Sequence, residues 1–285
     1  MLSLTKKGKE IAYFLQCYIK GLFISIDKNI LWNILSRDFN KSLANLDEAK
    51  KEQLIALIYT TLFHDPIDNY VNKSSKSKWK LVDREKSLFY ADDFKGLPIG
   101  NLTSQFFANI YLNVFDHFVK HTLKCKYYVR YVDDFVLIDK DRDKLKEWKK
   151  LIEEYLMTNL ELSLKPDSKI ASLSSGINFL GYVQHIHYRL VRRRVINTFK
   201  KKLEYYKKKE KNYDNIVKLR ATLNSYLVIF NNANGFECLI SILKNHRWIK
   251  DYFKVTEKKV VIKKDIEIDR KKEIMKCDRH LKSGR

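Results

Sequence analysis

The chain is poor in the residues that interrupt regular structure. Its 285 residues include only 3 prolines and 8 glycines, so long helices and strands with few loops are expected. Its 4 cysteines are scattered and form no Cys-x-x-Cys pair. This spacing argues against a zinc site and against a disulfide scaffold, and it indicates a reducing compartment, the cytoplasm.

Long apolar runs are also missing. The sequence has no stretch of about 18 apolar residues, so it contains no recognisable membrane-spanning segment. The apolar stretch after the lysines near the start is broken by Gln16, Tyr18 and Lys20, which makes it a poor signal peptide. We therefore expect neither a membrane span nor a secretory leader.

Positive charge, in contrast, is abundant. Lys and Arg number 56 against 34 Asp and Glu, which leaves a net charge of +22. A hydrophobic fraction of 45%, with 13% aromatic residues, excludes a disordered chain. A large positive excess on a folded chain makes nucleic acid the leading partner and an anionic membrane surface the second. The length allows one large domain or two small ones.

The apolar patterns predict an α+β chain with a mixed first part and a helical, basic second part. The expected elements are a buried strand over Tyr13–Ile26, a helix capped by Asp27, a helix over Asp47–Phe63, a surface loop over Asn69–Lys86, a helix from Thr103, a hairpin over Tyr127–Ile138, a helix through Leu145–Leu156, strands around Leu160–Leu164 and Asn178–Val183, and helices from Val195 onward. We place the boundary between the two parts near His185–Arg194.

An acidic dipeptide occupies the predicted tip of the hairpin. Asp133 and Asp134 separate two runs rich in β-branched and aromatic residues. Adjacent carboxylates repel each other unless a cation binds there. Carboxylates and substrate phosphates bind Mg²⁺, and two such ions ~4 Å apart can promote phosphoryl displacement. The alternative interpretation is a solvated Asp-Asp turn, which is common for that dipeptide.

Several segments, in chain order between Tyr13 and Leu243, resemble the motifs of reverse transcriptases. They are the YxDD box at Tyr131–Asp134, the nucleotide-contacting loop and helix at Gly96–Gln105 and Phe107–Leu112, the primer-grip hairpin at Asn178–Tyr182, the start of the thumb at His187–Leu190 with Arg192–Arg194, and later thumb helices at Leu223–Leu227 and Asn232–Asn234. The nucleotide-contacting loop ends in Ser104-Gln105, and this ending resembles that of reverse transcriptases of the diversity-generating retroelement type. That type is related to group II intron and retron enzymes.

The resemblance implies a right-hand polymerase fold. Its palm, an antiparallel sheet with helices, would cover residues 1–184, and the N-terminal fingers region of the family is missing from the chain. An all-helical basic thumb would follow over 185–250, and a basic C-terminal tail over 251–285. That tail is either a flexible arm or a remnant of a fusion. The resemblance also implies a prokaryotic or phage-encoded protein of the cytoplasm.

The implied activity is RNA-directed DNA polymerisation with two Mg²⁺ ions, or Mn²⁺ in their place. Asp133, Asp134 and the backbone carbonyl of Ile19 would hold the metal. Lys169 matches a family lysine that protonates the pyrophosphate leaving group, and the alternative is an ordinary surface lysine. The implied partners are template RNA, a primer or cDNA duplex and dNTPs, and an accessory retroelement protein is a further candidate.

The implied nucleotide-binding residues are Phe23, Ile99, Gly100, Ser104 and Gln105. Phe23 matches an aromatic gate against the ribose 2′-hydroxyl, and the alternative is ordinary core packing. Ile99 stands where many relatives carry a glutamine. An aliphatic side chain cannot make that hydrogen bond, so the resemblance implies error-prone copying, particularly opposite adenine.

The predicted nucleic-acid-binding residues lie in the second part of the chain. They are Leu180, Gly181, Arg189, Arg192, Arg193, Arg194, Lys200 and Lys201. Basic residues far outnumber acidic ones over Val191–Arg220, whereas a solvated helix face usually alternates its signs. The excess favours contacts with backbone phosphates, which carry little sequence information.

Two departures from the family pattern bear on activity. Tyr18 stands where the family has a metal-bridging aspartate, and a neutral phenol is a poor Mg²⁺ ligand. The chain also begins close to the first palm strand, without the family's fingers. We therefore expect an impaired polymerase. A non-catalytic RNA- or DNA-binding remnant is the alternative, and a protein-binding scaffold is a third interpretation.

Overall fold

The chain folds into two compact units. The computed structural model describes residues 11–37, 39, 43–67, 71, 75 and 82–263. The first unit is Met1–Leu173 and the second is Ser174–Arg285. This division falls ahead of the boundary predicted between residues 184 and 185, because the strands over 177–191 pair with one another inside the second unit.

The first unit combines a four-stranded antiparallel sheet with helices. Its described elements are β1 (Tyr13–Tyr18), α1 (Leu22–Ser25), α2 (Lys28–Ser36), α3 (Glu48–Phe63), α4 (Leu102–His117), β2 (Tyr127–Tyr131), β3 (Asp134–Asp139), α5 (Arg142–Leu160) and β4 (Lys169–Ser172). The strand order is β2-β3-β1-β4, so β3 and β1 are central. The helix caps follow the prediction, since Asp27 accepts bonds from the backbone of Asn29 and Ile30, both at 2.8 Å.

The first predicted strand is shorter than expected. It ends at Tyr18, and α1 occupies part of the range that was predicted to be extended. Gly21, with φ +50°, turns the chain in the left-handed region, and its carbonyl accepts bonds from the backbone of Ile24 and Ser25. The prediction of one strand over Tyr13–Ile26 was wrong because apolarity alone does not distinguish a strand from a short buried helix.

The hairpin is confirmed, but its turn is displaced by one residue. Tyr131 pairs with Asp134, so the two turn residues are Val132 and Asp133. Val132 adopts φ +56°, an uncommon conformation for a β-branched residue. Asp134 is therefore the first residue of a central strand, and of the two aspartates only Asp133 lies in the turn.

The fourth strand lies later than predicted. A strand over Leu160–Leu164 was expected, but α5 extends to Leu160. The residue that caps it, Glu161, has φ +48°. Leu164 forms only an isolated bridge with Ile19. The edge strand is instead β4, at Lys169–Ser172.

One face of the sheet and helices α4 and α5 enclose the core of the first unit. The predicted stripe of α5 is confirmed, since its members are all buried: Leu145, Trp148, Ile152 and Leu156. Each such side chain contributes roughly 1.5–3 kcal/mol when it is removed from water. The predicted loop over Asn69–Lys86 lies mostly outside the described residues, and its last part contains a 3₁₀ turn at Arg84–Lys86.

The second unit contains the strands predicted around Asn178–Val183, but the range 185–250, predicted to be all-helical, also contains a strand. Its described elements are β5 (Ile177–Phe179), β6 (Tyr182–Gln184), β7 (Arg189–Val191), α6 (Arg193–Lys208), α7 (Tyr213–Asn231), α8 (Phe236–Lys244), α9 (Ile249–Tyr252), β8 (Phe253–Val255) and β9 (Val260–Ile262). The strands among them form one three-stranded and one two-stranded antiparallel sheet. The strands that were not predicted, β7, β8 and β9, have three residues each, which is too few to show an alternating pattern in sequence.

The last described hairpin belongs to the core of the second unit. Phe253, Val260 and Ile262 are buried there with the predicted apolar face of α7. The side chain of Asn224 on α7 accepts from the backbone N–H of Val260 at 2.8 Å and donates to its carbonyl at 3.3 Å. Residues 253–262 are therefore not part of a tail, and the rest of the predicted tail, 264–285, lies outside the described residues.

Candidate active site

The acidic turn is attached to the end of the first strand. The backbone N–H of Ile19 donates to the carbonyl of Asp133 at 2.9 Å. Asp134 lies directly opposite Tyr18 in the pairing of β3 with β1. Both aspartates are half-buried. Ile19 was expected to offer its carbonyl to a metal, and that role stays a prediction.

Gln16 holds the second aspartate and was not predicted as a site residue. Its Nε2 donates to Asp134 Oδ1 at 3.1 Å, and the glutamine side chain is buried at 4% exposure. Gln16 and Tyr18 lie two positions apart on β1, so their side chains share one face of the sheet. A polar residue in an otherwise apolar strand was the sequence signal that could have identified Gln16.

Tyr18 occupies the position next to the acidic pair. Residues directly opposite in an antiparallel sheet have their β-carbons about 4.5–5.5 Å apart. Tyr18 therefore places a phenol beside Asp134, at the position where the family resemblance predicts a third carboxylate. Among the described residues, no three His, Cys, Asp or Glu side chains come together as metal ligands. The carboxylates of Asp133 and Asp134 are still oxygen donors of the kind that Mg²⁺ prefers.

The predicted glycine loop is tied to the segment that contains Phe23. The backbone N–H of Leu97 donates to the carbonyl of Phe23 at 2.7 Å, and that of Gly96 donates to Ile26 at 2.9 Å. Gly96 has φ +93°, and a β-carbon there would lie 2.7 Å from Leu88 Cδ2. Gly100, with φ +105°, faces open space, so its backbone is accessible.

Three of the predicted site residues meet at one cavity of the first unit. The cavity has a volume of about 240 Å³, and Phe23, Ile99 and Asp133 all line it. These residues come from α1, the glycine loop and the acidic turn, which are far apart in sequence. Phe23 is half-buried and packs against the core, as the alternative interpretation expects, and its role as a gate stays a prediction. Ile99 is 58% exposed and therefore accessible to a ligand.

Two lysines at this cavity were not predicted. Lys86 and Lys165 line it together with Asp133, and Asp83 is a further acidic member of the lining. The backbone N–H of Lys165 donates to the carbonyl of Tyr18 at 2.8 Å, which fixes its position beside the first strand. Lys169, the predicted catalytic lysine, is instead an exposed residue of β4 opposite Gln16 and is not among the described lining residues.

The first turn of α4 contains two predicted nucleotide-binding residues, and only one of them is exposed to solvent. The helix begins at Leu102, one residue earlier than expected. Ser104 is buried at 1% exposure, so its hydroxyl is not accessible to a nucleotide. Gln105 is exposed and remains available for the predicted contact.

The predicted nucleic-acid-binding residues belong to the second unit. Leu180 and Gly181, with φ +49° and +86°, form the turn between β5 and β6, and the Leu180 side chain is exposed. Arg189 is committed to internal contacts, since Nε donates to Gln184 Oε1 at 2.8 Å and Nη1 to the Asn232 carbonyl at 3.1 Å.

The basic residues around α6 are arranged for contact with solvent. Arg192 is the residue before the helix, and the helix bears four predicted contacts that are all exposed: Arg193, Arg194, Lys200 and Lys201. In the part of the chain that the structure describes, none of these side chains forms an ion pair with an acidic residue. Their charge is therefore available to an anionic partner.

Within the described residues, every helix is too short or too polar to traverse a lipid bilayer.

Comparison with known proteins identifies similar structures only at a distance. No protein-family model matches the chain, and no curated protein sequence does. A structure of telomerase from Candida tropicalis in complex with a TWJ fragment of telomeric RNA is similar, with 15% identity, a TM-score of 0.49, and coverage of 85% of this chain and 39% of that chain. The corresponding complex from Candida albicans has 14% identity and a TM-score of 0.41, with coverage of 84% of this chain and 42% of that chain. Apo telomerase from Candida tropicalis has 14% identity and a TM-score of 0.46, with coverage of 79% of this chain and 39% of that chain.

The chain thus spans about two fifths of the length of these telomerase chains. With TM-scores of 0.41 to 0.49, the likenesses assign neither a family nor an activity.

Proposed function

We propose that the first unit is the palm of an RNA-directed DNA polymerase of the diversity-generating retroelement type, and that Tyr18 impairs its catalysis. The observation that carries this proposal is the cavity at which Phe23, Ile99 and Asp133 meet. The motif resemblance selects these residues from separate segments of the sequence, and the fold brings them to one site. The geometry is thus independent support for the motif assignment.

In this proposal, Asp133 and Asp134 would hold Mg²⁺, which supplies charge neutralisation at the phosphates of a dNTP when it is bound. Gln16 fixes one oxygen of Asp134 through its 3.1 Å hydrogen bond. The ammonium groups of Lys86 and Lys165 would attract the triphosphate, since both residues line the cavity with Asp133. The open backbone at Gly100 would allow the nucleotide to approach closely.

Substrate selection would depend on the two hydrophobic lining residues. Phe23 would exclude a ribose 2′-hydroxyl by its bulk. Ile99 provides no hydrogen-bonding group near the nascent base pair, and a site without such a group discriminates weakly. We therefore propose error-prone copying, with the nucleotide chosen mainly by base pairing to the template.

Template RNA and a primer or cDNA duplex are the proposed partners. The net charge of +22 and the exposed basic residues of α6 favour an anionic polymer. Contacts of that kind go to backbone phosphates, so they would hold a duplex without selecting its sequence.

Tyr18 favours a second candidate function, a nucleic-acid-binding protein without catalysis. A neutral phenol opposite Asp134 replaces the carboxylate that would bridge the metal ions. Losing one such ligand is expected to cost several kcal/mol of transition-state stabilisation, which is roughly a thousandfold in rate. The chain could then bind a primed template and leave it unextended.

Primer extension on an RNA template separates the two candidates. Incorporation of dNTPs in the presence of Mg²⁺ or Mn²⁺ that Asp133→Ala abolishes supports the polymerase. Asp139→Ala is a matched control, because Asp139 is an acidic residue at the other end of β3. Binding of the same duplex with no incorporation by any variant supports the non-catalytic function.

A further inference from the structure

An ion pair connects the strand before the acidic turn to helix α4. Arg130 of β2 donates through Nε to Oδ1 of Asp116 on α4 at 2.8 Å, and through Nη2 to the other carboxylate oxygen. The arginine side chain is only 9% exposed. Such two-point pairing fixes the plane of the guanidinium group as well as its position.

The remaining nitrogen of the same guanidinium contacts the turn itself. Arg130 Nη1 donates to the carbonyl of Val132 at 3.2 Å and to Asn109 Oδ1 at 3.4 Å. Val132 directly precedes Asp133 and holds the positive φ that the turn requires. A strained backbone of this kind persists only where surrounding contacts enforce it. Arg130 supplies one such contact through its hydrogen bond to the Val132 carbonyl.

The carboxylate of Asp116 is fixed from a second direction. The hydroxyl of Tyr128 donates to Asp116 Oδ1 at 2.6 Å. Burial, together with the adjacent Asp116, raises the pKa of Tyr128, so this hydroxyl stays protonated as a donor. For Arg130, burial alone would lower the pKa, but the bonds and the charge of Asp116 outweigh it and raise the pKa. The group therefore remains fully charged.

Arg130 joins the acidic turn to helix α4. Helix α4 begins directly after the glycine loop, and Asn109 and Asp116 both lie on it. The turn carries Asp133 into the cavity that Ile99 of the loop also lines. One side chain thus links the turn that carries Asp133 to the helix that follows the glycine loop.

We propose that Arg130 is a positioning residue, which holds Val132 and hence Asp133 in a fixed place relative to α4. The placement itself does not depend on what the cavity binds. Its catalytic consequence rests on the proposed function, because displacement of Asp133 matters to chemistry only if that carboxylate acts there.

Lysine at this position distinguishes positioning from simple charge pairing. Arg130→Lys keeps a cation that can pair with Asp116. A single ammonium group, however, cannot reproduce a planar fork that spans both oxygens of Asp116 and the Val132 carbonyl. A role in charge alone would survive this substitution, whereas a role in geometry would not.

Amide hydrogen exchange measured by NMR tests the placement. The reporter is the N–H of Ile19, whose acceptor is the carbonyl of Asp133. We expect Arg130→Lys to speed exchange at Ile19 by roughly tenfold while the Leu137 amide in the centre of β3 is unchanged. Tyr128→Phe is the matched control. It removes a bond to the same Asp116 oxygen but keeps the Arg130 contact with Val132, so Ile19 should exchange as in the wild type.

The result that overturns the proposal is equally specific. Unchanged exchange at Ile19 in Arg130→Lys would show that the turn does not need the guanidinium group. Equal acceleration at Ile19 and Leu137 would show a contribution to overall stability instead. If Arg130→Lys does not fold, Asp116→Asn provides the same comparison, because it weakens the anchor of Arg130 without removing any side-chain volume.

A second readout tests the catalytic consequence. In a background that extends primers, Arg130→Lys should raise the Mn²⁺ concentration for half-maximal extension more than about threefold, while Tyr128→Phe leaves it unchanged. An equal metal requirement in both variants would contradict positioning of Asp133. If no variant extends a primer, the proposed function fails, and the hydrogen-exchange comparison still decides the placement.

Discussion

Gln16 Nε2 donates a hydrogen bond to Asp134 Oδ1 at 3.1 Å, from the strand position two residues before Tyr18. The bond links the central strands β1 and β3 on the face of the sheet that carries the acidic pair. A buried donor and a half-buried carboxylate are thus paired at the point where the proposed metal site begins. In the proposed site, Gln16 would orient the aspartate, and Tyr18 would stand where a third carboxylate ligand is expected.

Removing this donor should weaken the fold as well as the site. Gln16→Leu removes the hydrogen bond from Gln16 to the half-buried Asp134 carboxylate, so we expect the free energy of unfolding to fall by about 1 kcal/mol. Chemical denaturation measures this loss. Thr61→Val is a suitable control, since Thr61 only donates to the carbonyl of Leu57 on the exposed side of α3. Equal losses in the two variants would show that the Gln16 bond has no particular weight.

The cysteines should react with alkylating reagents in a defined order. Burial raises the pKa of Cys17 to about 12 and that of Cys125 to about 11, so both thiols are protonated at neutral pH and shielded from the reagent. Of the three cysteines that the structure describes, Cys238 is exposed on α8 and should be modified first. Peptide mass spectrometry of the native protein after brief iodoacetamide treatment gives the order. Modification of Cys17 as fast as Cys238 would contradict the buried first strand.

The residue at position 99 should control copying errors. Ile99→Gln restores a hydrogen-bonding group at the cavity, and we expect misincorporation opposite template adenine to fall about tenfold in a variant that extends primers. Ile99→Leu keeps an aliphatic side chain and should leave the error rate unchanged. Sequencing of the extension products measures both. An unchanged error spectrum in Ile99→Gln would remove the support for error-prone copying.

The exposed face of α6 should contribute to the salt dependence of duplex binding. Lys201→Glu would remove a proposed phosphate contact, so the slope of log affinity against log salt should become less steep by about 1. Lys150→Glu makes the same change of charge on an exposed residue of α5 in the first unit and should alter the slope less. Titration of an RNA–DNA duplex between low and moderate salt provides the comparison. Equal slopes for the two variants would indicate a general charge effect.

Local patterns predicted much of the first unit. The cap at Asp27, the buried stripe of α5 and the hairpin around the acidic pair each depend on neighbours in sequence, which the residues themselves reveal. The motif resemblance also selected Phe23, Ile99 and Asp133, which meet at one cavity. It could not place the turn to the residue, because the conformation of Val132 is set by the neighbouring strand and not by its own preference.

The missed features depend on contacts between distant segments. Gln16, Lys165 and Arg130 acquire their significance only when β1, the loop before β4 and β2 come together around the turn. Lys169 was predicted from the family resemblance, and only the folded chain shows that Lys165 lines the cavity. The β8–β9 hairpin was read as part of a tail, since its buried residues are too few to show a period.

Tyr18 offers the most direct test of the central claim that the acidic turn is an impaired polymerase site. The measurement is the rate of dNTP incorporation on a primed RNA template by the wild type, Tyr18→Asp and Tyr18→Phe. We predict that Tyr18→Asp raises the rate by about a thousandfold, that Tyr18→Phe does not, and that adding Asp133→Ala abolishes the gain. No gain in Tyr18→Asp, or a gain that persists without Asp133, would contradict the account.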